Sequence, residues 1–171
     1  MAVQPLALRL AGILTVLAFC GAAAVVAVHR AFREAPAQVG KPLPVLSLVD
    51  LDGAPASVRP QAGTTLYNVF ATWCEPCAVE TPLLASQAPL LGERGIRLVG
   101  IDQGDPPADV RAYIEHFGLN YPVFIDNHKT TNFLLEARVI PESVLVRNGI
   151  VENIYVGPLD RAALDHLVGV R

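Results

Sequence analysis

Three cysteines in 171 residues cannot build the disulfide framework of a small secreted scaffold. A zinc site needs about four ligands. His29, His116, His128 and His166 keep no companion spacing to the single C-x-x-C, so no metal is expected. Covalent haem attachment needs a histidine directly after the second cysteine, where Ala78 stands instead. No P-loop and no dinucleotide glycine pattern occurs, so no nucleotide or other cofactor is implied. Basic residues are also few: beyond residue 37, ten face fifteen acidic ones, a formal net of −5. A domain with that balance and no basic cluster is a poor nucleic-acid binder.

Apolar residues, by contrast, make up 52% of the chain. Much of the excess lies in residues 10–28, nineteen positions without a charge between Arg9 and the pair His29-Arg30. That run is long enough to cross a bilayer core about 30 Å thick as a helix. The expected division is a short segment 1–9, a transmembrane anchor or uncleaved signal 10–28, a Pro/Gly-punctuated linker 29–39 and one folded domain 40–171. Ala22-Ala23-Ala24 offers the alternative of a cleaved signal, although the run exceeds a signal core of about 7–15 residues. Phe19, bulky where lipoprotein signals carry a small residue, argues against lipidation of Cys20, which reads as a small apolar packing residue. Counting positive charges alone would leave the domain in the cytoplasm; the secretory-like N-terminus and the motif below favour export.

Within 40–171, strands alternate with helices. Residues 45–49 and 56–58, around Asp52-Gly53, read as a hairpin. Residues 65–70 form an apolar strand followed by a helix from about Cys74 to Leu91, and 96–101 a second strand. Asp105-Pro106-Pro107 opens a helix to about Phe117, with Arg111 and Glu115 spaced to pair at i,i+4. A strand over 121–125, a short helix over 130–136, a hairpin of 143–146 with 151–156 around Asn148-Gly149, and a helix over 159–168 complete the pattern. Such alternation predicts an α/β fold whose mixed central sheet is flanked by helices.

The reactive feature is Trp73-Cys74-Glu75-Pro76-Cys77, placed between an apolar strand and a helix. A helix N-terminus lowers a thiol's pKa from about 8.5 into the range of roughly 3.5–7.5, because unpartnered N–H groups face the sulfur. Cys74, at the helix entrance, is expected to be exposed enough to attack a partner disulfide. Cys77, one turn in, is expected to be shielded and to resolve the mixed disulfide. Pro76 sits in the first turn, where its missing N–H costs little. Glu75 opposes the thiolate. Glu80, three residues past Cys77 on the same face, is either a base for that thiol or a solvated surface carboxylate. Pro82 reads as a kink in the helix, Tyr67 and Tyr121 as packing residues, and Trp73 as either a core aromatic or an exposed ring over the thiol.

Ala71-Thr72-Trp73-Cys74-Glu75-Pro76-Cys77, followed by Glu80 and Pro82, resembles the active-site segment of membrane-anchored thioredoxin-like proteins: the ResA/TlpA group and the cytochrome c maturation thioredoxins CcmG/DsbE. The likeness runs from about Gly40 to the C-terminus and implies a thioredoxin-like fold. It makes Cys74 and Cys77 a redox-active disulfide and Glu80 an active-site acid. Ile140-Pro141-Glu142-Ser143 falls where the family has its cis-proline segment, which would give Ile140, Pro141 and Glu142, with Trp73, a substrate-binding role. For Glu142, an exposed carboxylate without a role is the competing reading. Asn68 replaces the buried aspartate of ordinary thioredoxins and shifts the base role toward Glu80. The implied activity is thiol–disulfide exchange on protein disulfides at the periplasmic side of the inner membrane, with a membrane thiol electron donor and with apocytochrome c as a possible client. A broader envelope reductase or a copper-site assembly factor is the enzymatic alternative, and a scaffold that binds without turnover the non-enzymatic one.

Overall fold

The computed structural model describes residues 38–59, 61–134 and 139–169. The expected segments 1–9 and 10–28, Cys20 and all of the linker up to residue 37 lie outside them. Among the described residues no helix is long and apolar enough to cross a membrane.

Among the described residues seven strands form one sheet: β1 (Leu46–Val49), β2 (Pro55–Val58), β3 (Thr64–Phe70), β4 (Ile96–Asp102), β5 (Val123–Ile125), β6 (Glu142–Arg147) and β7 (Ile150–Val156). Their order is β2-β1-β5-β4-β3-β6-β7. The β3–β4 and β4–β5 pairs are parallel and the others antiparallel, giving the expected mixed sheet. The helices are α1 (Glu75–Glu93), α2 (Pro107–Phe117), α3 (Thr130–Leu134) and α4 (Arg161–Leu167).

All seven residues of β3 are buried. A strand at the centre of a sheet covered on both faces reads as a continuous apolar run rather than an alternating one. Its successive side chains still divide between two cores. Leu66 joins Leu98 and Leu145 under Leu84 and Leu91 of α1 and Leu164 and Leu167 of α4. Tyr67 joins Val144 and Val146 against Leu46 and Leu48 of the first hairpin. A third cluster gathers Phe70, Val110, Tyr113, Val123 and Ile125 around Cys74 and Cys77. Gly100 permits that packing, since a Cβ there would lie 3.2 Å from both the Phe70 ring and a Val123 methyl.

Several local expectations are adjusted. Helix α1 ends at Glu93 rather than near Leu91, with Pro82 and Pro89 both inside it. Strand β5 begins only at Val123, because Pro122 has no N–H to give a ladder. Its carbonyl accepts from Gly100 N at 2.8 Å, and Tyr121 packs between two of the cores. Arg111 does not pair with Glu115; it reaches across to Asp52 and to the Leu51 carbonyl, 3.0 Å away. The Asn148-Gly149 turn has φ of 50° and 80°, the left-handed pair that a tight hairpin turn requires.

Candidate active site

Strand β3 delivers the chain to the site and α1 carries it away. Between them, Cys74 is the N-cap of α1: its N–H bonds to the Ala71 carbonyl at 3.2 Å, and its own carbonyl accepts from Ala78 N at 3.1 Å. A disulfide joins Cys74 to Cys77. The Cys77 N–H points at Cys74 Sγ from 3.2 Å, so an orphan donor of the first helical turn faces the first sulfur as the motif predicted. Cys77 is fully buried, as expected of a resolving thiol. Cys74 is less open than expected, at 4% exposure, because the bond to Cys77 holds its sulfur against the first turn and Phe70 and Ile140 pack in the same cluster. Trp73 resolves to the exposed alternative, 73% open beside the disulfide.

Glu80 is not a solvated surface carboxylate. It is 1% exposed; one oxygen accepts from Asn68 Nδ2 at 2.7 Å, the other from Leu159 N at 2.6 Å. Burial pushes its carboxyl up to about 7, against the pull of those two donors. Asn68 also donates to Ser143 Oγ at 3.2 Å, across the β3–β6 register pair Asn68↔Ser143. Asn68, which stands where ordinary thioredoxins carry a buried aspartate, therefore holds the buried carboxylate of Glu80 by a hydrogen bond.

The Ile140–Pro141 bond is cis. Pro141 is buried, with its carbonyl taking the Gly157 N–H at 2.8 Å, and Ile140 packs against the disulfide cluster. Glu142, expected at an exposed position, is 4% exposed instead, because it opens β6 between Val69 of β3 and Val156 of β7. Of the residues singled out in the sequence, the fold thus groups Trp73, Cys74, Cys77 and Ile140 at one end of the sheet, with Glu80, Pro141 and Glu142 buried behind them.

Sequence reasoning missed a second buried acid whose carboxyl, like that of Glu80, is pushed up by burial. Asp102 closes β4 opposite Phe70 and is fully buried. Its Oδ1 accepts from Gly104 N and Asp105 N at 2.9 and 2.7 Å, while Oδ2 has no partner among the described residues. Burial pushes this carboxyl up to about 7, with the neighbouring Asp105 charge adding to the rise. Asp105 in turn accepts from Thr72 N at 2.6 Å and Thr72 Oγ1 at 2.8 Å, two residues before Cys74. The available signal was an aspartate ending an apolar strand, where buried charge is costly unless it has a purpose. A cleft of about 650 Å³, lined by Gly63, Ala88, Gly92, Leu98 and Tyr121, opens at the start of β3 and β4, the far end of these strands from the sulfurs.

Residues 39–154 match the model of the AhpC/TSA family. The chain belongs to that family. Among its curated relatives, the thiol–disulfide oxidoreductase ResA of Geobacillus kaustophilus is 28% identical over 136 residues, covering 78% of both chains. ResA of Bacillus subtilis is 24% identical over 127 residues, covering 73% of this chain and 71% of the relative. A solved thiol:disulfide interchange protein of the thioredoxin family from Chlorobium tepidum shares 30% identity, with a TM-score of 0.63 over 75% of this chain and 93% of its own. A structure from the same organism described as a putative DsbE superposes at a TM-score of 0.68 over 76% and 94%, with 21% identity, and shows the shared fold. The thioredoxin-like architecture and the resemblance to the ResA and DsbE group both stand. The chain is a thiol–disulfide oxidoreductase.

Proposed function

We propose that this oxidoreductase works in the reducing direction on proteins of the cell envelope. Residues 10–28 hold it in the inner membrane, and its thioredoxin-like domain faces the periplasm. Cys74 attacks a client disulfide, Cys77 resolves the mixed disulfide, and a membrane thiol electron donor restores the dithiol. The observation that carries the exchange chemistry is the Cys77 N–H aimed at Cys74 Sγ from the first turn of α1, which favours a thiolate at the attacking position. The reducing direction rests on the resemblance of the motif to the membrane-anchored thioredoxin-like proteins. Glu80 then serves the second step. Three residues beyond Cys77 and titrating near 7, it is matched to take the proton from the resolving thiol.

The client surface is apolar. Trp73, Val139 and Val156 are 73%, 60% and 52% exposed, and the register Val69↔Glu142↔Val156 brings the ends of β3, β6 and β7 together at the disulfide end. Trp73, Val139 and Ile140 form the proposed binding segment for an extended strand carrying the client cysteines, with Pro141 and Glu142 buried beneath it and shaping its backbone. Such a surface suits an incompletely folded polypeptide, and the client we propose, apocytochrome c before haem attachment, is the one implied by the resemblance of the active-site segment to the cytochrome c maturation thioredoxins.

The test is a Cys77→Ser trap expressed in cells. A client should accumulate as a covalent adduct of Cys74, and apocytochrome c should be among the captured proteins. An absence of thiol-sensitive adducts together with unchanged function would overturn the enzymatic reading in favour of a binding scaffold. Adducts lacking any C-x-x-C-H protein would favour the broader reductase or copper-site role.

A further inference from the structure

Behind the resolving cysteine, two side chains make a hydrogen-bond chain that the exchange chemistry described so far leaves unused. Thr81 Oγ1 donates to the Cys77 carbonyl at 2.7 Å, one turn back on α1. The same oxygen lies 2.7 Å from the Tyr113 hydroxyl on α2. Since the single threonine proton is committed to a carbonyl, Tyr113 must be the donor of the second bond. Burial raises the pKa of Tyr113, so its phenol keeps the proton it donates. The ring is clamped on both sides, 5.3 Å from Phe70 and 4.6 Å from Phe117. Thr81 and Tyr113 are 3% and 7% exposed. The chain therefore runs from a fixed aromatic stack on α2, through Thr81, to the peptide of Cys77.

We propose that Thr81 and Tyr113 are positioning residues for the resolving step. This rests on the reading that Cys77 releases the client. In that step the Cys77 thiolate attacks Cys74 Sγ of the mixed disulfide. The Cys74–client S–S bond breaks, the Cys74–Cys77 bond forms, and the client sulfur leaves with the electron pair and takes a proton. The client is reduced by two electrons and the domain oxidised by two. The rate of such an intramolecular displacement depends on the fraction of time the attacking atom spends in line and in reach. In the mixed disulfide no covalent bond ties Cys77 to Cys74, and Pro82, within α1 beyond Cys77, cannot donate a backbone bond. The hydroxyl chain supplies a restraint on the Cys77 peptide from a neighbouring helix, so Cys77 Sγ stays poised while Cys74 is engaged elsewhere.

The experiment uses the domain with its full chain and a glutathione-linked Cys74 as the mixed disulfide. Thr81→Val, Tyr113→Phe and the double variant are nearly isosteric, and Thr81→Ser restores the hydroxyl. The expected result is a mixed-disulfide lifetime about tenfold longer in Thr81→Val and Tyr113→Phe, no further increase in the double variant, and recovery in Thr81→Ser. Alkylation of Cys74 in the reduced proteins should proceed at the wild-type rate. A role in stability alone would lower the melting temperature and leave the lifetime unchanged, and that outcome overturns the proposal. Cys77→Ser serves as the control. If it does not lengthen the lifetime either, the reading of Cys77 as the resolving thiol fails; if it does while the Thr81 and Tyr113 variants do not, the positioning role alone fails.

Discussion

Two carboxyls, Glu80 and Asp102, sit in the core with values pushed up to about 7 by burial. A folded value above the unfolded one means that the native state holds a proton the unfolded chain has already released. For Asp102 the interval runs from an ordinary 3.8 to about 7. Stability contributed by the protonated form is therefore present at low pH, declines as pH rises through that interval, and is flat above it. The loss is on the order of 3 to 4 kcal/mol per group, the larger for Asp102. Asp102→Asn keeps an oxygen for the Gly104 and Asp105 amides but cannot ionise. Urea unfolding of the oxidised variant between pH 4 and 8 should show a shallower fall than wild type, with the share from Glu80 remaining. Equal slopes would remove Asp102 from the account.

At the scale of elements, the loop between β3 and α1 owes its shape to a residue outside it. Asp105, ahead of α2, ties down both the amide and the hydroxyl of Thr72. Asp105→Ala should raise amide hydrogen exchange at Thr72 by about tenfold or more while exchange in β3 stays slow, because hydrogen bonds from N–H groups to a charged carboxylate contribute about 1.5–3 kcal/mol each. Unchanged protection at Thr72 would show the loop held by its own turn. These links also mark where sequence reading reached and where it stopped. Strand–helix alternation was legible because β3, β4 and β6 are apolar runs set off by Gly, Pro and Asn. The C-x-x-C at a helix entrance was legible because its chemistry is local. The clamp from Asp105 to Thr72 and the chain from Tyr113 to Thr81 join residues more than thirty positions apart, and no local pattern announces them. Glu142 misled for a related reason: a charged letter suggests the surface, but its neighbours across both ladders, Val69 and Val156, decide its burial.

For the whole molecule, stability and redox direction are two sides of one thermodynamic cycle. If the domain passes electrons to clients, its own disulfide must be the more stable partner in the exchange, so the fold must favour the oxidised form. Urea titration of the oxidised and reduced proteins at pH 7 is expected to place the oxidised midpoint higher. The reverse order would make the domain an oxidant and overturn the proposed direction. The sheet has a consequence of its own here. Strand β3 leads into Cys74 and carries Asn68, which grips Glu80, while its parallel neighbour β4 ends on Asp102. One pair of strands thus sets two ionisable groups, each near its midpoint at neutral pH, beside a couple that changes charge when it is reduced. Such a molecule behaves as a small buffer wired to a switch. Filling it with electrons should draw protons into the core in step, measurable as proton uptake per dithiol formed, and the acidity of its surroundings then becomes part of how readily it gives those electrons up.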